Sequence, residues 1–329
     1  WVAIPLALYG TVVKENGEAI DIAIGDDEND PVFYITDLLP HLAKDQNDKK
    51  LSEAIEGEGL NVIIGSLPAE GKEDDKKFKL NVLKILNEKY GMIEEDFLTA
   101  ELEIVPAGKA RDVGIDRGMI MAYGHDDRVC AYTSLRAILE LDSPQRTAVA
   151  LFADKEEVGS NGNTGMHSMF FNNMVAELIA IKNNGNYSEL LLKRALENSS
   201  MLSSDVAAGV DPTYPHVTEI QNAAIMGKGV ALVKYTGSRG KSGANDANAE
   251  YIGKLRKLFN ENNVVWQTSE LGKVDQGGGG TIAYILANYN MDVVDLGVPV
   301  LSMHAPYELV SKTDVYMTYK AYNTFYNKY

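Results

Sequence analysis

The chain has a single cysteine, Cys130, in 329 residues. An internal disulfide is therefore excluded, and a reducing cytoplasm suits that composition. Long apolar runs are missing as well. No stretch reaches the ~18–20 residues that cross a bilayer as a helix, so no membrane partner is expected. Positive charge is scarce: 31 Lys and Arg stand against 47 Asp and Glu, for a formal net charge of −16. Nothing in that balance neutralises a phosphate backbone, which argues against nucleic acid as a partner. There is no initiator methionine. The chain opens Trp1-Val2-Ala3-Ile4-Pro5, with no charged segment leading into an apolar one, so the start is not a signal peptide. An N-terminal segment ahead of Trp1 is expected.

What is present is a chain with 45% hydrophobic residues, enough for a sizeable core. Residues 1–107 read as one β-rich unit. Strands are predicted at 6–13, 19–24, 60–64 and 98–105, a helix at 80–90, and a helix start at 36–43, while 69–77 is a charged, exposed stretch. From residue 108 onward strands and helices alternate. Strands are predicted at 119–123, 147–152, 201–206, 230–235, 264–267 and 291–296; helices at 127–141, 173–181, 187–198, 246–262, 281–287 and 311–326. This is an α/β layout, a central mixed sheet flanked by helices.

Chemistry-bearing residues recur at the predicted strand ends, where α/β proteins place their sites. Asp126 follows 119–123, Glu156 and Glu157 follow 147–152, Asp205 follows 201–206, and His304 follows the apolar Val300-Leu301. Each alone has a plainer reading: Asp126 or Asp127 as a helix cap, His304 as a structural histidine. Together they form an oxygen and nitrogen set that suits zinc, with cobalt or manganese as substitutes. Adjacent glutamates can divide the work, one binding metal and the other accepting a proton from water. The set points to a metallohydrolase. Two glycine-rich stretches stand apart from it. Gly277-Gly278-Gly279-Gly280-Thr281 lacks the Lys-Ser/Thr pair of a phosphate loop and would line a substrate cleft or form a plain turn. Residues 234–245 carry Lys234, Arg239 and Lys241, cations that could orient a substrate carboxylate or lie in a solvated loop.

Five segments in this order resemble the aspartyl aminopeptidase family of dinuclear zinc exopeptidases. They are Gly124-His125-Asp126-Asp127-Arg128-Val129, Asp154-Lys155-Glu156-Glu157-Val158-Gly159-Ser160, Ser204-Asp205-Val206-Ala207, Gly278-Gly279-Gly280-Thr281 and Ser302-Met303-His304. The resemblance implies two zinc ions per subunit, bridged by Asp126, with Glu157 as a terminal ligand, Asp205 completing the first metal, His304 the second, and Glu156 as general base. It implies that residues 1–107 are an inserted oligomerisation domain and that 108–329 are the catalytic domain. It implies a dodecamer built from dimers, in which His41 of one subunit serves a neighbour's site. Lys234, Gly279, Gly280 and Thr281 would contact the peptide substrate. The family's remaining histidine ligand belongs to a His-x-Asp motif that is absent here and would precede Trp1. An acidic N-terminal residue is the family's best-known preference, although Asp211 in the loop after Asp205 would oppose it. A dipeptidase or amide deacylase with the same metal set, and a non-catalytic oligomeric scaffold, are the rival readings.

Overall fold

The computed structural model describes residues 2–70, 76–239 and 241–329. The chain divides into two compact units, one running to Ala110 and one from Arg111 to Tyr329.

In the first unit, β1 (Leu6–Val13), β2 (Ala19–Ile24) and β3 (Glu101–Pro106) form an antiparallel sheet in the order β2-β1-β3. The turn between β1 and β2 needs a left-handed residue, and Gly17 takes it with φ 82°. The sheet buries Val12, Ile22 and Ile24 against Met92, with Leu86 and Tyr90 of the helix Lys77–Tyr90 packed alongside. Two expectations change here, and a third falls partly outside the described residues. The helix start at 36–43 is a 3-10 turn, Pro40–Leu42, followed by the one-turn helix Lys44–Asn47. Proline at the head of that turn supplies no N–H. Among the described residues, 60–64 give one bridge, Ile63 with Tyr34. Of the charged stretch 69–77, residues 71–75 lie outside the described residues.

The second unit holds β4 (Arg111–Val113), β5 (Met119–Ala122), β6 (Ser200–Ser203), β7 (Ala207–Ala208), β8 (Val230–Val233), β9 (Tyr235–Ser238), β10 (Ser242–Asp246), β11 (Trp266–Thr268), β12 (Asp292–Gly297), β13 (Pro299–Leu301) and β14 (Glu308–Ser311). The single central sheet expected from sequence is two mixed sheets, β11-β8-β12-β6 and β4-β5-β14-β13-β7. Two of the chain's passages between them are short breaks of one to three residues. Val298 separates β12 from β13, and residues 204–206 separate β6 from β7. Because β12 runs parallel to β6 and β13 parallel to β7, the two breaks lie side by side. Asp205 sits in one of them.

Helices cover the sheets for reasons visible in their spacing. In the helix Ala249–Glu261, Tyr251, Leu255 and Phe259 recur every fourth residue and are 0% exposed. They pack on Val230, Leu232, Val294 and Leu296 of the first sheet. Each contributes roughly 1.5–3 kcal/mol by burial. Asn248 starts the helix by accepting from the Tyr251 N–H at 2.8 Å. Among the described residues, no helix is long and apolar enough to cross a membrane.

Residues 147–152 form no ladder with another strand among the described residues, contrary to expectation. The backbone here meets a side chain instead: Val149 O accepts from the Tyr326 hydroxyl at 3.1 Å. Residues 234–245, read as a loop, fall largely in the β9–β10 hairpin. Gly240 lies outside the described residues. The hairpin is tied to the glycine run by the Gly237 N–H, which donates to Gly279 O at 2.7 Å.

Gly297 ends β12 where the chain must approach Asp205. A Cβ there would lie 1.8 Å from Asp205 O and 2.9 Å from Cys130 Sγ. Gly297→Ala is therefore expected to displace the Asp205 backbone and destabilise the fold by about 1–3 kcal/mol, the usual range for overpacking. Chemical denaturation together with zinc titration checks this. An unchanged midpoint and zinc affinity would mean that the Asp205 segment yields freely.

Candidate metal centre

Asp126 is delivered by the turn that leaves β5. Gly124 turns the chain with φ 69°, and the helix His125–Leu139 begins. Asp126 and Asp127 depart from helical geometry, with φ/ψ of −83°/101° and −119°/25°, across a cis peptide bond. His125 is directed away from this cluster: its Nε2 lies 3.1 Å from Ile120 O, and burial lowers its pKa. His304 follows β13 in a left-handed turn, with φ 59° at Ser302 and 64° at His304. Glu156 and Glu157 sit on the 3-10 turn Glu156–Val158, bracketed by left-handed Lys155 (φ 65°) and Gly159 (φ 97°). The expected arrangement of strand then carboxylate pair is thus a tight turn then carboxylate pair.

These elements bring four of the sequence-predicted ligands together. His304 Nε2 is 3.1 Å from Asp126 Oδ2 and 3.5 Å from Glu157 Oε1. Ligand atoms of Asp126, Glu157 and His304 lie within 4.8 Å of one another, and so do those of Asp126, Asp127 and Asp205. Asp126 belongs to both groups. Glu156 lies within electrostatic reach of Glu157, His304, Asp127 and Asp205.

Crowding of carboxylates in a poorly solvated place makes their charged forms costly. Burial, then Glu157 and Glu308, pushes Asp126 up to about 7. Burial pushes Asp127 up to about 8, against opposing hydrogen bonds from Cys130 and Val206. Burial, then Asp127 and Asp295, raises Asp205 well above the usual carboxylate range. Burial, then Glu157, raises Glu156. Behind them Asp295, 2% exposed, is raised by burial to about 7, tempered by the Ser203 and Thr281 hydroxyls. Neither of its oxygens closes a hydrogen bond of normal geometry among the described residues.

The other predicted residues have separate settings. Lys234, just past β8, pairs with Asp246 at 2.5 Å. Glu270 also feels both charges. Gly279 and Gly280 lie in the loop before the short helix Ala283–Ala287, Gly280 next to Gly243 of the hairpin. Thr281 Oγ1 accepts from the Ala283 N–H at 3.3 Å and lies beside Asp295. His41 is an exposed residue of the 3-10 turn Pro40–Leu42 in the first unit. Two residues of the centre escaped the sequence reading. Asp127 was assigned only to the helix start, yet its carboxylate forms no helix cap and its Oδ1 is buried without a hydrogen-bond partner among the described residues. Glu308 was not singled out at all. The adjacent Asp126-Asp127 pair was a usable signal for the first; nothing local marked the second.

The residues fit a zinc centre. Ligand atoms around a tetrahedral zinc, each about 2 Å from it, stand roughly 3.3 Å apart. The 3.1 and 3.5 Å separations at His304 match that spacing. The raised carboxylates and the partnerless Asp127 oxygen are what a cation would relieve.

Comparison with known proteins agrees. The profile of the family described as aminopeptidase I zinc metalloprotease (M18) matches residues 1–326. The probable M18 family aminopeptidase 1 of Clostridium acetobutylicum is 57% identical over 327 residues, covering 99% of this chain and 70% of the relative. The crystal structure of the M18 aminopeptidase from Thermotoga maritima superposes with a TM-score of 0.95 at 49% identity, covering 100% of this chain and 72% of that one. The S. cerevisiae mApe1 dodecamer, at 19% identity and a TM-score of 0.69 over 100% of this chain and 70% of its own, shares the fold. The chain therefore belongs to the M18 family of zinc metalloproteases, the aminopeptidase I group.

Proposed function

We propose that this aminopeptidase works through a dinuclear zinc centre with Glu156 as general base. The observation that carries the reading is the pair of ligand groups that share Asp126. Asp126 would bridge, Glu157 and His304 would hold one ion, and Asp205 the other, with Asp127 beside it. When bound, the ions supply Lewis acidity to the scissile carbonyl and lower the pKa of a nearby water. Glu156 takes the proton of the attacking water and returns it to the departing amine. Its burial, and the charge of Glu157 beside it, favour the neutral form and so strengthen it as a proton acceptor. The free α-amine of the substrate is a cation, and the excess of carboxylates around it provides its attraction.

We place substrate contacts on Thr281, Gly279 and Gly280, next to the centre through Asp295, and assign Lys234 to an acidic substrate side chain. That side chain competes with Asp246 for Lys234, so the preference for acidic residues is expected to be modest. Aminoacyl chromogenic substrates compared by kcat/KM test this. Aspartyl and glutamyl substrates should exceed leucyl, and Lys234→Gln should erase the difference. Equal rates in the unsubstituted protein would remove acid selectivity from the reading. Residues up to about 107 would form the oligomerisation domain of a dodecamer, with His41 offered to a neighbour's site. The family resemblance supports that assembly, and the single cysteine supports a cytoplasmic setting.

A further inference from the structure

We infer that Glu308 is a positioning residue that fixes Asp126 and His304 relative to one another. The inference rests on the ligand assignment proposed above. Glu308 opens β14 and is 3% exposed. Its Oε2 accepts from the backbone N–H of Asp126 at 2.8 Å, across 182 residues of sequence. Its Oε1 accepts from the backbone N–H of His304, also at 2.8 Å, across 4 residues. One carboxylate thus holds the backbone of both residues.

Three further features give this grip its purpose. Both N–H groups belong to residues outside regular structure, Asp126 with non-helical φ/ψ and His304 with φ 64°. A left-handed histidine persists only where its surroundings over-determine it. The His304 side chain is 63% exposed, so packing does little to fix its ring. Its Nε2 is placed mainly by the backbone that Glu308 holds. β14 also lies between the strands that lead to the two residues: Glu308 registers opposite Ala122 of β5, and Leu309 opposite Leu301 of β13. The carboxylate is the chemically required group. It offers an acceptor at each oxygen, whereas an amide has one acceptor and would turn an N–H donor toward another donor.

The test compares Glu308→Gln and Glu308→Asp with the unsubstituted protein, each expressed from the whole reading frame. Zinc affinity is measured by chelator competition, the cobalt-substituted protein by visible absorption, and kcat and KM separately at saturating zinc. Glu308→Gln should weaken zinc binding by roughly 10–100-fold, the usual effect of losing a group that orients a ligand. Its cobalt bands should shift and kcat should fall more than KM changes. Glu308→Asp keeps the charge but is one methylene too short to reach both N–H groups, and should show the same cobalt shift. Melting of the metal-free variants should stay close to that of the metal-free parent, since Gln removes a charge from a crowded cluster as it loses a hydrogen bond. Parental zinc affinity and cobalt spectrum in both variants would overturn the inference. Failure of both to fold would overturn it too, by making Glu308 a general structural residue. If the unsubstituted protein binds no zinc, it is the metal-centre reading that fails, and that arm is measured first.

Discussion

Glu156→Gln is expected to lower kcat by about 10²–10⁴-fold, the contribution typical of a positioned general base. The substitution keeps size and hydrogen-bonding reach but removes the ability to accept a proton at neutral pH. Glu156 belongs to neither group of clustered ligand atoms, so zinc content should be unchanged. KM should change far less than kcat, because the proton is in transit only in the transition state. Glu157→Gln is the contrasting case. Its Oε1 is 3.5 Å from His304 Nε2 within one ligand group, and zinc should be lost together with activity. The pair of measurements separates two adjacent carboxylates that sequence alone cannot tell apart. A Glu156→Gln enzyme within tenfold of the parent, with full zinc, would move the base elsewhere.

Removal of metal is expected to abolish hydrolysis and also to change how stability depends on pH. In the metal-free protein Asp126 and Asp295 titrate at about 7 and Asp127 at about 8, all raised chiefly by burial. An unfolded aspartate titrates near 3.9. Between those values the folded state holds protons that the unfolded state has released, so stability falls as pH rises. The stability linked to these groups is complete below about pH 4 and lost by about pH 8. Other carboxylates oppose this at the acid end, so the clean comparison is pH 5.5 against pH 8. Metal-free protein should melt several degrees lower at pH 8. Zinc should reverse the trend, because it binds the deprotonated ligands. At a free concentration 1,000 times its Kd it adds about 4 kcal/mol. Calorimetry at the two pH values, with and without zinc, decides the matter. A metal-free melting temperature that rises toward pH 8 would contradict the electrostatic account of the centre.

Much of this arrangement was legible in the chain, and what was not has identifiable causes. The helix Ala249–Glu261 declared itself by apolar residues every fourth position, and β12 by Val293, Val294 and Leu296 in a short β-branched stretch, because both patterns arise from burial. Asp126, Glu157, Asp205 and His304 were read as candidate ligands because each ends or follows a recognisable segment, and the fold brings their ligand atoms into two groups that share Asp126. Residues 147–152 carry the apolar run of a buried strand, but a ladder needs a neighbouring backbone, and composition says nothing about whether one is in reach. The β9–β10 hairpin was hidden by its glycines, which weaken strand propensity but here permit close approach to Gly279. The break between the two sheets depends on the contact of Gly297 with Asp205, 92 positions earlier by their numbers. Glu308 was invisible for a similar reason. Its partners are backbone N–H groups, which every residue except proline possesses, so no side-chain motif records them.

Cys130 offers an internal clock for the breathing of this centre. Its side chain is 0% exposed, lies under the junction where Gly297 meets Asp205, and burial raises its thiol well above the usual range. A thiol reagent cannot reach it in the closed fold, and little thiolate exists there to react. Labelling therefore reports only those moments when the sheet junction opens, and its rate measures their frequency. Cys130 is the one cysteine of these 329 residues, so labelling is read from the peptide that carries it. Because Asp127 and Asp205 flank the thiol, slower labelling in the presence of zinc would reveal how firmly the ion clamps the two halves of the sheet system together.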